Sequence, residues 1–195
     1  MKKNFLILTL LAVILTMPAF AQHFDQYFLD QTLRVSYLHI GDHQTESLEI
    51  DHYTAGGVWS GTRAFLIEPN NYGDITIEVF DSISNKLIYS RSYSCLFTEY
   101  KTTERAKCEV ARMEECVNVP YPKNTVRLRF TSYDRKRNSE VLYDGYYNPR
   151  TTPTQQMRKD YKVMTLHKGN TPDKAIDILF IPDGYAKKDK KVLKH

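Results

Sequence analysis

The chain is poor in cysteine, with three thiols in 195 residues, and poorer still in tryptophan, with one. Cys95, Cys108 and Cys116 allow at most one disulfide and leave one thiol over, which excludes a small disulfide-stapled scaffold. No C-x-x-C pair occurs, so the spacing of a thiolate zinc site is missing. Eight glycines and eight prolines exclude collagen-like and proline-rich low-complexity chains. There is no phosphate loop, no dinucleotide fingerprint and no G-x-S-x-G elbow, so nothing points to a nucleotide enzyme or a serine hydrolase. A strong charge of one sign is also lacking.

The formal charge is +4, and most of it sits at the two ends. Lys2 and Lys3 belong to the leader described below; without them 25 basic residues face 23 acidic ones, or +2. Residues 186–195 hold five lysines and one aspartate, so the body between has 20 basic and 22 acidic residues, or −2. That balance carries no electrostatic footprint for nucleic acid. The lysine-rich end reads as a solvated helical face.

What is present begins with a leader. Lys2-Lys3 precede an apolar run over 5–17, followed by Pro18-Ala19-Phe20-Ala21-Gln22. Ala19 and Ala21 are small residues at the positions a signal peptidase reads, which predicts cleavage between Ala21 and Gln22 and an exported protein. The run is shorter than the roughly 20 residues a spanning helix needs. No later segment is long and apolar enough, so no membrane span is expected in the mature chain.

The dominant period beyond the leader is two. Val126, Leu128 and Phe130 alternate with Arg127, Arg129 and Thr131, and Ile75, Ile77 and Val79 alternate with Thr76 and Glu78. Both patterns predict half-buried strands. A turn over 81–86 leads to a hairpin partner over 87–93. Further strands are expected over 33–40, 47–52, 64–67, 116–119 and 141–147, separated by turns at Gly41-Asp42, Gly56-Gly57, 69–73 and Pro120-Tyr121-Pro122. Short strands at this spacing, with 24 aromatic residues to fill them, predict a mainly β protein whose N-terminal domain is an antiparallel β-sandwich. One helix is expected over 103–113, with Thr103 as N-cap and Ala106, Val110 and Met113 on one face. Such a helix, if continued, would hold Cys108 and Cys116 about 12 Å apart, beyond the roughly 7 Å a disulfide spans. Cys95–Cys108 and Cys95–Cys116 then stay open as pairings.

Composition shifts after Tyr147. Residues 149–159 are polar, contain Pro149 and Pro153, and read as a linker. Residues 175–181 form a nearly continuous apolar run, the mark of a strand covered on both faces of an α/β sheet. The sequence ends soon after it, so residues 160–195 read as the first strands of an incomplete α/β domain. Trypsin is expected to cut after Arg150, Arg158 or Lys159.

Several stretches carry a family resemblance. Phe24-Asp25-Gln26-Tyr27-Phe28 leads into Thr32-Leu33-Arg34-Val35. Leu87-Ile88-Tyr89-Ser90-Arg91 is followed by Leu96-Phe97-Thr98-Glu99-Tyr100 and Thr102-Thr103-Glu104-Arg105-Ala106-Lys107. Asp177-Ile178-Leu179-Phe180-Ile181-Pro182-Asp183-Gly184-Tyr185 closes the series. Together they resemble the IgA peptidase family of zinc metallopeptidases, the sixty-fourth metallopeptidase family. The resemblance implies an N-terminal β-sandwich followed by a peptidase domain whose H-E-x-x-H helix binds zinc. It divides the chain into a signal peptide (1–21), an accessory sandwich domain (22–148), a linker (149–159) and the start of a peptidase domain cut short before that helix (160–195).

The zinc helix needs two histidines four apart with a glutamate between them as base. The histidines are 23, 39, 43, 52, 167 and 195, and only His39 and His43 have the spacing. Their stretch, His39-Ile40-Gly41-Asp42-His43, lacks the glutamate and is broken by a turn, which predicts two solvated strand-end histidines. Adjacent Glu114 and Glu115 are expected on opposite faces as a solvated pair. Tyr143, Tyr146 and Tyr147 with Trp59 could stack on sugars but suit core packing better, and 134–138 reads as a hairpin loop.

The expectation is an exported, non-catalytic accessory domain of an IgA-peptidase-like metallopeptidase. No catalytic residue and no cofactor site are assigned to this chain; zinc is expected only in the absent part of the peptidase domain. The alternative is a free-standing exported β-sandwich that binds glycans or glycoproteins. Host or dietary glycoproteins and glycans are the partner class either way. The oligomeric state stays open.

Overall fold

The computed structural model describes residues 24–158, together with 165, 167–170, 176, 178, 179 and 181. The expected signal peptide, the expected Ala21–Gln22 cleavage site and most of the expected peptidase-domain segment lie outside the described residues. Ile176, Ile178, Leu179 and Ile181 are exposed and carry no regular structure, so the apolar strand expected there is not seen at those four positions.

The described chain is mainly β. A short helix α1 (Phe24–Tyr27) precedes β1 (Phe28–Gly41) and β2 (Glu46–Gly56). After a long loop come β3 (Ile75–Asp81), β4 (Leu87–Tyr93) and helix α2 (Leu96–Tyr100). The chain continues through β5 (Ala111–Pro122), β6 (Val126–Tyr133), β7 (Ser139–Tyr147) and β8 (Thr154–Gln156). One sheet has the order β5-β1-β2-β8 and the other β4-β3-β6-β7. All pairings are antiparallel except β2 with β8, which is parallel.

The period-two reading of the sequence is what builds the core. Leu33, Val35 and Tyr37 of β1 face inward on one sheet; Ile75, Ile77 and Val79 of β3 and Val126, Leu128 and Phe130 of β6 face inward on the other. They form one apolar cluster shared by both sheets. Tyr37 meets Phe130 edge-on at 5.2 Å, and Tyr53 meets Tyr147 at 4.7 Å, so aromatic rings join the sheets at two points. Trp59 and Tyr147 are core residues, Tyr143 packs against the core at Phe130 and only Tyr146 of the four is exposed. The four aromatics therefore share no open face. Outside, Arg127 and Arg129 lie over the Phe80 ring and pair with Asp144, which covers that face with charge.

Four expectations are corrected. The helix over 103–113 is absent: the region holds a 3-10 turn (Arg105–Lys107) and then β5, which pairs with β1 from Gly41–Ala111 to Phe28–Pro122. Local helix preference there is weak, and a long ladder to a central strand outweighs it. Residues 120–122 are not a turn but the end of β5. Prolines are tolerated because β5 is an edge strand, paired on one side only. Residues 64–67 form no strand; they belong to the loop, fastened to β4 where Ser90 N–H donates to the Leu66 carbonyl at 2.9 Å. The expected linker supplies β8, and Met157 N–H donates to the Ala55 carbonyl at 2.8 Å. The second sheet edge is thus covered by the chain's own continuation.

Candidate functional site

Two places in the fold gather polar and reactive groups. The first is a side-chain cluster at the end of the two-sheet core, where β1, β2, β5 and α2 meet. His39, on the inward face of β1, is fully buried, which corrects the expectation of a solvated strand-end residue. Strand alternation explains it: His39 follows Leu33, Val35 and Tyr37 on the same face. His43, four residues on, is across the tight turn and exposed, its Nδ1 3.3 Å from the Ala106 carbonyl. The two rings do not converge.

Around the His39 ring stand three polar groups. Nδ1 is 3.1 Å from Glu115 Oε2 and 3.8 Å from Cys95 Sγ. Nε2 faces Glu46 Oε2 at 3.5 Å, an ion-pair distance at which no hydrogen bond forms. Glu46 in turn pairs with Lys101 Nζ at 3.0 Å. Phe97 N–H donates to Glu115 Oε1 at 3.4 Å, and the Phe97 ring stacks on the imidazole. Tyr37 and Tyr93 share a hydroxyl–hydroxyl hydrogen bond of 2.8 Å close by. Glu115 is thus no member of a solvated pair: β5 alternation turns Glu114 outward and Glu115 into the cluster.

Burial by itself would drive the proton off His39, but its polar contacts with Cys95, Glu115 and Glu46 outweigh it and raise the ring to about 10. Burial would likewise protonate Glu46, yet His39, Ser132 and Lys101 hold it down to about 2. Glu115 is lowered too, against its burial, by His39, the Phe97 N–H and Tyr37. The cluster is therefore two carboxylates balanced by an imidazolium and a lysine.

The three cysteines are free. Cys116 is exposed on the outward face of β5, whereas Cys95 lies beside His39, so neither proposed pairing with Cys95 forms. His39, Cys95 and Glu115 each bring one donor atom, all within 4.8 Å of one another. The sequence gives little warning of this, since the three residues are far apart in the chain: the β1–β5 ladder sets Glu115 near His39, and the step from β4 into α2 brings Cys95 to them.

The second place is a groove of about 600 Å³ on the open side of the structure, between the edge strands β4 and β5. The loop between β2 and β3 forms its third wall. Trp59, Phe65, Ile67, Arg91, Tyr93 and Asn118 are among its lining residues. The loop is held rigidly: Ser92 N–H donates to Glu68 Oε2 at 2.7 Å and Glu68 N–H to Ser90 Oγ at 3.0 Å. Trp59 is buried and donates to the Thr62 carbonyl at 3.2 Å, while Phe65 stands 81% exposed at the groove. The loop occupies the outer N–H groups of β4, and an exposed aromatic beside the remaining edge, that of β5, is the chemistry that receives an extended polypeptide.

Residues 23–144 match the family model described as Peptidase M64 N-terminus. No curated protein matches the chain.

Proposed function

The chain belongs to the M64 IgA peptidase family, whose N-terminal region it carries, and from that premise we propose that it works as a non-catalytic accessory domain of an exported metallopeptidase. The observation that carries this reading is the extent of the match: residues 23–144 cover β1 through most of β7, so the family's N-terminal region and the two-sheet unit nearly coincide. The best-spaced histidine pair in the sequence supports it further. His39 is sealed in a cluster of ion pairs and His43 turns to a backbone carbonyl, so the pair offers no open metal position to a substrate.

The accessory role is to hold protein substrate. The groove between β4 and β5 suits an extended stretch of polypeptide, with Phe65 and Ile67 as apolar contacts and Arg91 and Asn118 as polar ones. A host or dietary glycoprotein is the substrate class. The mature protein, beginning at Gln22, should leave casein and immunoglobulin A uncut with or without a chelator. Chelator-sensitive proteolysis by the pure protein would overturn the non-catalytic reading. N-terminal sequencing of exported material tests the Gln22 start, and a retained Met1 would overturn it.

A second reading, a binding module for glycans, draws on the exposure of Phe65 and of Tyr72, 83% exposed on the same loop. Binding to a glycoprotein that survives enzymatic deglycosylation favours the polypeptide reading. Binding lost on deglycosylation favours the glycan module.

A further inference from the structure

Three donors of different chemistry meet at the buried end of β1: an imidazole nitrogen, a thiol and a carboxylate oxygen. We propose that His39 Nδ1, Cys95 Sγ and Glu115 Oε2 bind one Zn²⁺ in this domain, with Glu46 as the outer carboxylate that orients the imidazole through Nε2. This departs from the sequence-based expectation that zinc belongs only to the peptidase helix of the family. It does not rest on the accessory-domain reading and is tested by different readouts.

Geometry comes first. A tetrahedral zinc with ligands at about 2.0–2.3 Å sets its donor atoms roughly 3.3–3.8 Å apart. Nδ1 lies 3.1 Å from Oε2 and 3.8 Å from Sγ, and all three donor atoms fall within 4.8 Å of one another, so side-chain adjustments of an ångström or less bring them to those separations. The donor set of thiolate, imidazole and carboxylate suits zinc, whereas calcium and magnesium demand oxygen ligands in larger number.

The outer contacts follow the same logic. A zinc-bound histidine commonly presents its second ring nitrogen to a carboxylate, which fixes the tautomer. His39 Nε2 is buried without a hydrogen-bond partner and faces Glu46 Oε2 at 3.5 Å, and Lys101 balances that carboxylate. Phe97 stacked on the ring at 3.9 Å holds its plane. Cys95 is only half-buried, so the thiol side is where an ion would enter. The ion would tie α2 to β1 and β5, a structural role at the end of the domain.

The test uses the full mature chain without a polyhistidine tag, reduced and stripped by a chelator. Titration with Zn²⁺ against a chromophoric chelator should show one equivalent bound. Co²⁺ in its place should give the near-ultraviolet thiolate-to-metal band of a cysteine ligand. Cys95→Ser should abolish that band, whereas Cys108→Ser and Cys116→Ser should keep it. Glu46→Gln should weaken zinc about 10–100-fold, the range for loss of an outer partner. Glu115→Gln provides a second loss of a direct ligand should Cys95→Ser fold poorly. Absence of a saturable single equivalent, or a cobalt band that survives Cys95→Ser, overturns the proposal.

Discussion

The imidazole of His39 lies flat on the ring of Phe97, with centroids 3.9 Å apart and planes 18° from parallel. A buried cation against an aromatic face is held more firmly than either ring alone, because the π-face is negative and no water competes. The same contact sets the direction in which both ring nitrogens point, one toward Cys95 and Glu115, the other toward Glu46.

The first prediction concerns pH in the metal-free protein. His39 is raised from 6.5 to about 10 on folding, so its stabilisation is complete below about 6.5 and is lost as pH rises toward 10. Glu46 is lowered from 4.5 to about 2, so its stabilisation is present above about 4.5 and is lost as pH falls toward 2. Melting in the presence of a chelator should therefore peak between about pH 4.5 and 6.5. Glu115→Gln removes one group that raises His39 and should shallow the alkaline decline. A melting temperature that climbs from pH 6.5 to 9 contradicts this.

Phe130 is the partner of Tyr37 across the two sheets and is fully buried. Phe130→Ala leaves a cavity where the inner faces meet and should cost about 3–5 kcal/mol. Urea unfolding of the variant measures it. A loss under 1 kcal/mol would mean that the sheets do not depend on this contact.

Gly41 ends β1 at φ +155°, and a Cβ there would sit 2.1 Å from the Thr45 carbonyl oxygen. The Asp42 carboxylate accepts from Gln44 and Thr45 N–H, which fixes the turn around it. Gly41→Ala should destabilise by about 1–3 kcal/mol, since both sterics and backbone oppose it. A neutral variant would show that the β1–β2 turn can reopen freely.

The position of β8 changes the expected protease map. Asn148 accepts from Thr151 and Thr152 N–H and β8 pairs with β2, so Arg150 sits inside a hydrogen-bonded turn rather than in a linker. Trypsin should spare Arg150 and leave a fragment ending at Arg158. A chain stopped at residue 147 should melt below one stopped at 158, because Tyr147 then loses its Thr154 hydroxyl partner and β2 its neighbour. Equal melting of the two chains would return 148–156 to linker status.

The strands with strict alternation were legible from sequence because burial on one face writes itself into every second residue. The 75–79, 87–93 and 126–131 segments fall within β3, β4 and β6 for that reason. β5 was half legible: its apolar end, 116–119, shows, but the alternation of Ala111, Arg112, Met113 and Glu114 is too short to outweigh the helical spacing of Ala106, Val110 and Met113, and pairing with β1 decides it. Three polar residues of β8 could be read only as linker, since an edge strand of that length carries no periodicity.

The amino-acid order by itself determined the mainly β class, the inward faces of β1, β3 and β6, and a family resemblance that the match over 23–144 shares. Those are local or additive properties, fixed by which side chains avoid water. The His39–Cys95–Glu115 cluster and the β4–β5 groove were decided by tertiary structure alone. Both depend on which strands become neighbours or edges, and the residues that meet there are 56 and 76 positions from His39 in the chain. Only the closing of the two sheets on one core brings them within reach.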